Sequence, residues 1–113
     1  MKITVEELEA YLADHYIPHG NEQSLFMKLV EEMGETAEVL NKRAGRKASN
    51  EMDLQDQLGR ELADVIHYAV AIAAINGIDM NAVILEKDKQ ASIKYNHAMD
   101  LETFVSSRRK RET

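Results

Sequence analysis

Residues 61–75, Glu-Leu-Ala-Asp-Val-Ile-His-Tyr-Ala-Val-Ala-Ile-Ala-Ala-Ile, decide the fold of this chain. In the first half of the segment and just before it, apolar side chains recur at helical spacing, namely Leu58, Leu62, Val65, Ile66 and Ala69. From Tyr68 to Ile75 the segment is apolar on every side, and a helix of this kind is usually buried all round. We therefore expect a central helix that other helices cover, in part from a second subunit.

The sequence on both sides of this segment predicts further helices. Strand-forming residues are sparse, and there are only five glycines and one proline. A capping box of Thr4 and Glu7 opens a first helix, whereas Gly45 and Gly77 are typical of helix ends. The predicted helices cover about 4–16, 21–44, 51–76 and 80–98, with a tail or short last helix over about 100–113. The expected fold is all-α and four-helix-bundle-like, and we expect a homodimer to complete the bundle.

Size and composition restrict the class of protein. A chain of 113 residues forms one domain, here 1–113, and 44% hydrophobic residues are typical of a globular protein. The absence of cysteine excludes disulfides and thiolate metal sites. A net charge of −6 argues against nucleic acid as a partner, and the basic run 108–111 is expected to be a solvated tail. No apolar stretch is long enough for a signal peptide or a membrane span, so we expect a cytoplasmic protein without a membrane partner.

Two acid pairs carry the candidate chemistry. Glu32 and Glu35 lie three residues apart on the second predicted helix, and Glu61 and Asp64 do so on the third. Residues three apart share one helical face. If the two helices pack side by side, four carboxylates converge and repel one another unless a divalent cation neutralises them. Oxygen ligands favour Mg²⁺, with Mn²⁺ as the second choice.

Less specific interpretations of the same residues stay open at this point. Acids three residues apart are common on solvated helical faces, although Glu61 and Asp64 lead into a segment that looks buried. His67 follows Asp64 by three residues, and this Asp-x-x-His spacing is similar to the Glu-x-x-His motif that di-iron bundles carry on two helices. The second helix has Glu38 at the matching position, so a structural His67 is favoured over a metal ligand.

The acid pairs and their neighbours resemble a known family. The pattern Lys28-Leu-Val-Glu-Glu-Met-Gly-Glu35 followed by Glu61-Leu-Ala-Asp-Val65 is similar to the ExxE-spacer-ExxD signature of the MazG-like nucleotide pyrophosphohydrolases. These enzymes belong to the all-α NTP pyrophosphatase superfamily. The resemblance extends from about Phe26 to Asn96 and includes the Lys94-Tyr95-Asn96 motif.

The resemblance implies a reaction and a role for each matching residue. The reaction is Mg²⁺-dependent cleavage of a nucleoside triphosphate between its α and β phosphates, in a homodimer or a dimer of dimers. The implied metal ligands are Glu32, Glu35, Glu61 and Asp64. The implied substrate-binding residues are Lys94 and Asn96, with Lys28 as a further candidate. For the catalytic base we favour Glu35, with Glu38 and Glu31 as alternatives.

One departure and several alternatives accompany this hypothesis. Relatives often carry Asn-Lys where this chain has Ala91-Ser92, so the residues that bind the phosphates or the sugar on that side stay open. Lys87 or Lys89 could substitute, although both are also ordinary surface lysines. Side chains that could stack on a base are His15, Tyr16, His19 and Phe26, although core or loop roles are as well founded. The alternative functions are a phosphoribosyl-ATP pyrophosphohydrolase, a non-catalytic helical interaction module and a di-iron protein.

Overall fold

The protein is described by a computed structural model that covers residues 1–45 and 53–112. Within those ranges every regular element is an α-helix, which confirms the all-α prediction. The helices are α1 (Val5–Tyr16), α2 (Glu22–Arg43), α3 (Leu54–Ile75), α4 (Met80–Lys94) and α5 (Leu101–Glu112). The predicted loop over 46–50 and the predicted helix start at residue 51 lie outside the described residues.

Local side-chain chemistry sets the ends of the first two helices. At α1, the Thr4 hydroxyl accepts a hydrogen bond from the Glu7 amide at 3.1 Å, and the Thr4 amide donates to the Glu7 carboxylate at 2.8 Å. The Asn21 side chain accepts from the Ser24 amide and caps α2. Gly45, with φ of +74°, follows the end of α2. These caps satisfy amides and carbonyls that a helix end leaves unpaired, and they confirm the predicted boundaries of α1 and α2.

The predicted end of α4 is wrong. The helix ends at Lys94 and not near residue 98, because Asn96 adopts a left-handed conformation with φ of +55°. The His97 amide then donates to the Ser92 carbonyl at 2.9 Å, which is the hydrogen bond of a Schellman motif. No glycine stands at this position to mark the helix end in the sequence.

The chain divides into two compact units, Met1–Gly77 and Ile78–Thr113. In the first unit α3 packs against both α1 and α2. Its core is formed by Leu12, Leu25, Val70, Ala71 and Ala74. Two small residues of α3, Ala71 and Ala74, belong to this core and allow the neighbouring helices to approach closely. The second half of α3 is therefore a core helix, as its apolar composition predicts.

In the second unit α5 packs against α4. The Asp88 carboxylate accepts a hydrogen bond from the Leu101 amide at 2.6 Å. The ammonium nitrogen of Lys89 lies 3.4 Å from Glu102 Oε2. The Asp100 carboxylate accepts a hydrogen bond from the Thr103 amide at 2.8 Å and so caps the beginning of α5.

Among the described helices, none is by itself long and apolar enough to cross a membrane, and only α3 and α4 counted together meet that test, by length and composition alone.

The single domain over 1–113 and the homodimer stay predictions.

Candidate functional site

The packing of α2 against α3 brings the two acid pairs together. Glu32 and Glu35 lie one turn apart on α2, and Glu61 and Asp64 lie one turn apart on α3. Carboxylate oxygens of Glu32, Glu61 and Asp64 lie within 4.8 Å of one another. Glu35 interacts with both Glu32 and Glu61, and thus belongs to the same group. The convergence that the helical spacing predicts is therefore present in one protomer.

Two of these carboxylates are withdrawn from water. Glu32 and Glu61 are partly buried, whereas Glu35 and Asp64 are exposed. One oxygen of each buried acid, Glu32 Oε2 and Glu61 Oε2, is buried and has no hydrogen-bond partner within 1–45 and 53–112. A buried charged oxygen without a donor is costly in free energy. The folded chain thus contains two acceptors that need a proton or a cation.

The pKa values reflect this crowding. Burial, followed by hydrogen bonding with Glu35 and Glu32 and by their negative charges, raises the pKa of Glu61 to about 7. Burial also raises the pKa of Glu32, with further contributions from the charges of Glu35 and Asp64, while a hydrogen bond with Glu61 opposes the rise. Neighbouring like charges destabilise the ionised forms in this way. The four acids therefore form one coupled electrostatic group.

This donor set fits a divalent metal ion. All the converging ligand atoms are carboxylate oxygens, which favour hard ions over zinc or copper. The orphaned oxygens of Glu32 and Glu61 provide acceptors that a cation would satisfy. Glu32, Glu61 and Asp64 can each offer one oxygen, and Glu35 stands beside them. The acidic group is therefore a possible metal-binding cluster.

The other candidate site residues lie outside this cluster. Glu38 is exposed one turn beyond Glu35 on α2. Lys28 is also exposed, and its ammonium nitrogen lies 3.5 Å from Glu31 Oε2. In the second unit, the ammonium nitrogen of Lys94 lies 5.3 Å from the centroid of the Tyr95 ring, and Asn96 is exposed beyond the end of α4. The roles of these residues stay predictions.

The aromatic candidates divide between a packed cluster and a groove. The Tyr16 hydroxyl lies 2.7 Å from His67 Nε2, so His67 has a protein partner, as expected for a structural histidine. His15 packs edge-on against Tyr16. Phe26 lines an apolar groove of about 480 Å³, together with Met27 and Ile72. Burial, followed by the negative charges that Tyr68 and Tyr11 carry when they are ionised, raises the pKa of Tyr16.

Sequence reasoning missed one polar residue, Ser92. In the sequence, Ser92 is notable only because relatives often carry a different residue at this position. In the structure it is buried near the end of α4, beside a pocket of about 530 Å³. Serine is common near helix ends, so its presence alone does not indicate a special role. Because the sequence predicts that α4 continues to about residue 98, it does not predict a pocket at this position. The signal that could have found it is Asn96, since asparagine is the residue after glycine that most often adopts the left-handed conformation.

Comparisons with known proteins agree with this geometry. The model of the MazG nucleotide pyrophosphohydrolase domain matches residues 20–97. The chain is also similar to the crystal structure of iMazG from Vibrio DAT 722, with 29% sequence identity and a TM-score of 0.61. That match covers 84% of this chain and 100% of the other. No curated protein matches the sequence.

Proposed function

Because this chain belongs to the MazG nucleotide pyrophosphohydrolase family, and is thus a hydrolase of nucleotide phosphoanhydrides, we propose that it is a Mg²⁺-dependent nucleoside triphosphate pyrophosphohydrolase. Its reaction would convert a ribo- or deoxyribonucleoside triphosphate and water to the monophosphate and pyrophosphate. A role in removing unwanted nucleotides from the cellular pool follows from such a reaction. The observation that carries the proposal is the pair of buried carboxylate oxygens without partners, Glu32 Oε2 and Glu61 Oε2.

The proposed ligands of Mg²⁺ are Glu32, Glu35, Glu61 and Asp64. Their oxygens form a hard, negatively charged donor set, and oxygen ligands on a rigid helix pair are suited to this ion, with Mn²⁺ as a substitute. When bound, the ion supplies charge neutralisation for the phosphate oxygens and a lower pKa for a nearby water. His67 Nε2 is hydrogen-bonded to the Tyr16 hydroxyl, and His67 is not among the three residues whose ligand atoms converge, which favours the magnesium proposal over a di-iron site.

The protein's own contribution to the reaction is proton transfer and orientation. A water oxygen forms a bond to the α-phosphorus while the bond from that phosphorus to the bridging oxygen breaks, and pyrophosphate leaves with that oxygen. Glu35 is the proposed base that accepts the water proton, because its carboxylate is exposed and adjacent to the buried acids. Glu38, one turn further along α2, is the alternative base. General bases of this kind contribute typically about 10²–10⁴-fold to the rate.

Cationic and amide side chains would bind the substrate. Lys94 and Asn96 are the proposed contacts to the triphosphate, as the family resemblance implies, and Lys28 is the third candidate. All three are exposed, and the ion pair of Lys28 with Glu31 is solvent-accessible. An exposed pair of this type contributes little stability, so Lys28 could exchange its partner for a phosphate at small cost.

We further propose a cytoplasmic homodimer or dimer of dimers. Several apolar side chains of α2 and α3 stay half exposed, including Val30 at 44%, Met33 at 54% and Ile66 at 54%. A second protomer would remove this surface from water, and each square ångström of apolar area buried contributes roughly 25 cal/mol.

The direct test is a panel of nucleoside triphosphates, together with phosphoribosyl-ATP, assayed for pyrophosphate release. We expect pyrophosphate release at a Mg²⁺ concentration of about 5 mM and no release in excess EDTA. Asp64→Asn should be inactive, whereas Asp56→Asn, an exposed acid on the same helix, should behave as the wild type. Full turnover in EDTA, or turnover of phosphoribosyl-ATP alone, would contradict the proposal.

A further inference from the structure

The sequence of α3 contains a single lysine or arginine residue, Arg60, which directly precedes Glu61. Four residues, about one helical turn, separate Arg60 from Asp56 on one side and from Asp64 on the other. Residues at this spacing are neighbours on one face of a helix. Asp56, Arg60 and Asp64 thus form a row of alternating charge that leads to the acidic cluster of α2 and α3.

The partner of Arg60 in the structure is Asp56. The Arg60 Nε donates a hydrogen bond to Asp56 Oδ2 at 2.8 Å, which shows that the arginine side chain can span one helical turn. The side chain of Arg60 is 77% exposed and that of Asp56 is 52% exposed. An exposed ion pair contributes little to stability, because water and salt screen its charges and both side chains lose freedom. Arg60 can therefore exchange Asp56 for a ligand of higher charge at small cost in free energy.

The acidic cluster lies one turn further along α3. Side chains of an α-helix lean toward its N-terminus, so the Asp64 carboxylate leans toward the turn that carries Arg60. Both residues are exposed and belong to the first unit, and the buried residues of α3 begin only at Val70. A phosphate group bound to a metal ion at Asp64 would thus be within reach of the Arg60 guanidinium.

The chemistry of the substrate favours a cation at this position. Most of the negative charge of a nucleoside triphosphate is on its β- and γ-phosphates, and arginine presents planar N–H donors that fit two phosphate oxygens at once. An in-line displacement places the attacking water and the leaving oxygen on opposite sides of the phosphorus. Glu35, the proposed base, is on α2, so we expect the leaving group toward α3, where Arg60 lies.

From these observations we propose that Arg60 is a substrate-contact residue whose guanidinium binds the pyrophosphate part of the nucleotide, its β- and γ-phosphates. The inference rests on the proposed function, in which Asp64 binds a metal ion and Glu35 accepts the water proton. When the bond from the α-phosphorus to the bridging oxygen breaks, its electron pair stays on that oxygen, and Arg60 stabilises the added negative charge. Arginine remains protonated throughout, so Arg60 supplies charge and hydrogen bonds and transfers no proton.

The test compares two variants that break the same ion pair. Arg60→Gln removes the guanidinium, whereas Asp56→Asn removes the acid and leaves the guanidinium in place. We expect Arg60→Gln to lower kcat/KM for a nucleoside triphosphate by about 10- to 100-fold, the effect of losing a charge-assisted hydrogen bond. Asp56→Asn should stay within about twofold of the wild type. Arg60→Lys, which keeps the charge but not the planar donors, should lie between Arg60→Gln and the wild type.

Product inhibition identifies the part of the nucleotide that Arg60 contacts. Inorganic pyrophosphate and the nucleoside monophosphate are each used as inhibitors of the wild type and of Arg60→Gln. The substitution should raise the inhibition constant of pyrophosphate by about tenfold or more and leave that of the monophosphate unchanged. Without nucleotide, the melting temperature of Arg60→Gln should still rise with Mg²⁺ as in the wild type, because all four carboxylates are retained.

Several results would overturn the inference. They are a wild-type kcat/KM in Arg60→Gln, an equal loss in Asp56→Asn, an equal weakening of monophosphate and pyrophosphate, and a loss of the Mg²⁺ response in Arg60→Gln. An equal loss in Asp56→Asn would assign Arg60 to the structure of α3, and a lost Mg²⁺ response would assign it to the acidic cluster. If the wild type releases no pyrophosphate from any triphosphate, the proposed function fails first and the inference fails with it.

Discussion

The two halves of α3 differ in composition and in surroundings, because the acids lie in the first half and the second half is almost wholly apolar. In the second half, Val70, Ala71 and Ala74 are buried against α1 and α2. In the first half, Leu62 and Ile66 stay 45% and 54% exposed beside the acids Glu61 and Asp64. One helix therefore combines a core segment that stabilises the fold with an acid-bearing segment that destabilises it locally. We therefore expect the functional site in the acid-bearing half, because selection for fold stability alone would not favour clustered acids there.

The largest expected effect concerns the acid-bearing half. Glu61→Gln should lower kcat by about 10³-fold, a loss typical of removing an essential electrostatic group. In EDTA at pH 7.5 the variant should melt at or above the wild-type temperature, because a neutral amide replaces a partly buried acid that like charges surround and whose Oε2 has no hydrogen-bond partner among the described residues. Pyrophosphate release and differential scanning fluorimetry measure the two quantities. A variant that loses both activity and stability would show that the two halves of α3 do not differ in this way.

The next effect concerns the core that the apolar half of α3 completes. Leu12 of α1 is fully buried in this core. Leu12→Ala should lower the free energy of unfolding by about 2–5 kcal/mol through lost burial and the cavity that remains. Urea denaturation measures this loss. Leu62→Ala, on the acid-bearing half, is the matched comparison and should cost less in the monomer because its side chain is half exposed.

The third effect is a pH dependence of stability without metal. Glu61 has a folded-state pKa of about 7 against an ordinary value of 4.5, so between these values the folded state holds a proton that the unfolded state has released. Stability in EDTA should therefore be fully present below pH 4.5 and should fall as pH rises through 7. Glu32 is shifted in the same direction. Melting curves from pH 5 to 8 should show a shallower decline for Glu61→Gln than for the wild type.

The smallest effect on folding, and the sharpest on assembly, is expected at Ile66. Ile66→Ser should change monomer stability by less than about 1 kcal/mol, because the side chain is half exposed. It should shift the protein from dimer to monomer at micromolar concentration by light scattering. Ile3→Ser, which changes an exposed residue before α1, should keep the dimer. A wild type that is already monomeric would contradict the proposed dimer.

The helices were predictable because their signals are local. Thr4, Asn21 and Asp79 cap helices as their sequence contexts predict. The convergence of Glu32, Glu61 and Asp64 followed from helical spacing together with the assumption that successive helices pack side by side. The end of α4 depends on the left-handed conformation of Asn96, which is a weaker signal than a glycine, and the burial of Ser92 depends on packing that no local pattern encodes. Long-range burial of one hydroxyl leaves no periodic pattern in a sequence.

The most direct test of the acidic cluster is a Mg²⁺ titration of thermal stability, with no nucleotide present. For the wild type at pH 7.5, binding to the folded state alone should raise the melting temperature, by an amount equivalent to about 2.7 kcal/mol at 100 times the dissociation constant. Glu61→Gln combined with Asp64→Asn should abolish the rise. A wild-type melting temperature that does not respond to Mg²⁺, or a rise that persists in the double variant, would contradict the assignment of these carboxylates to a metal ion.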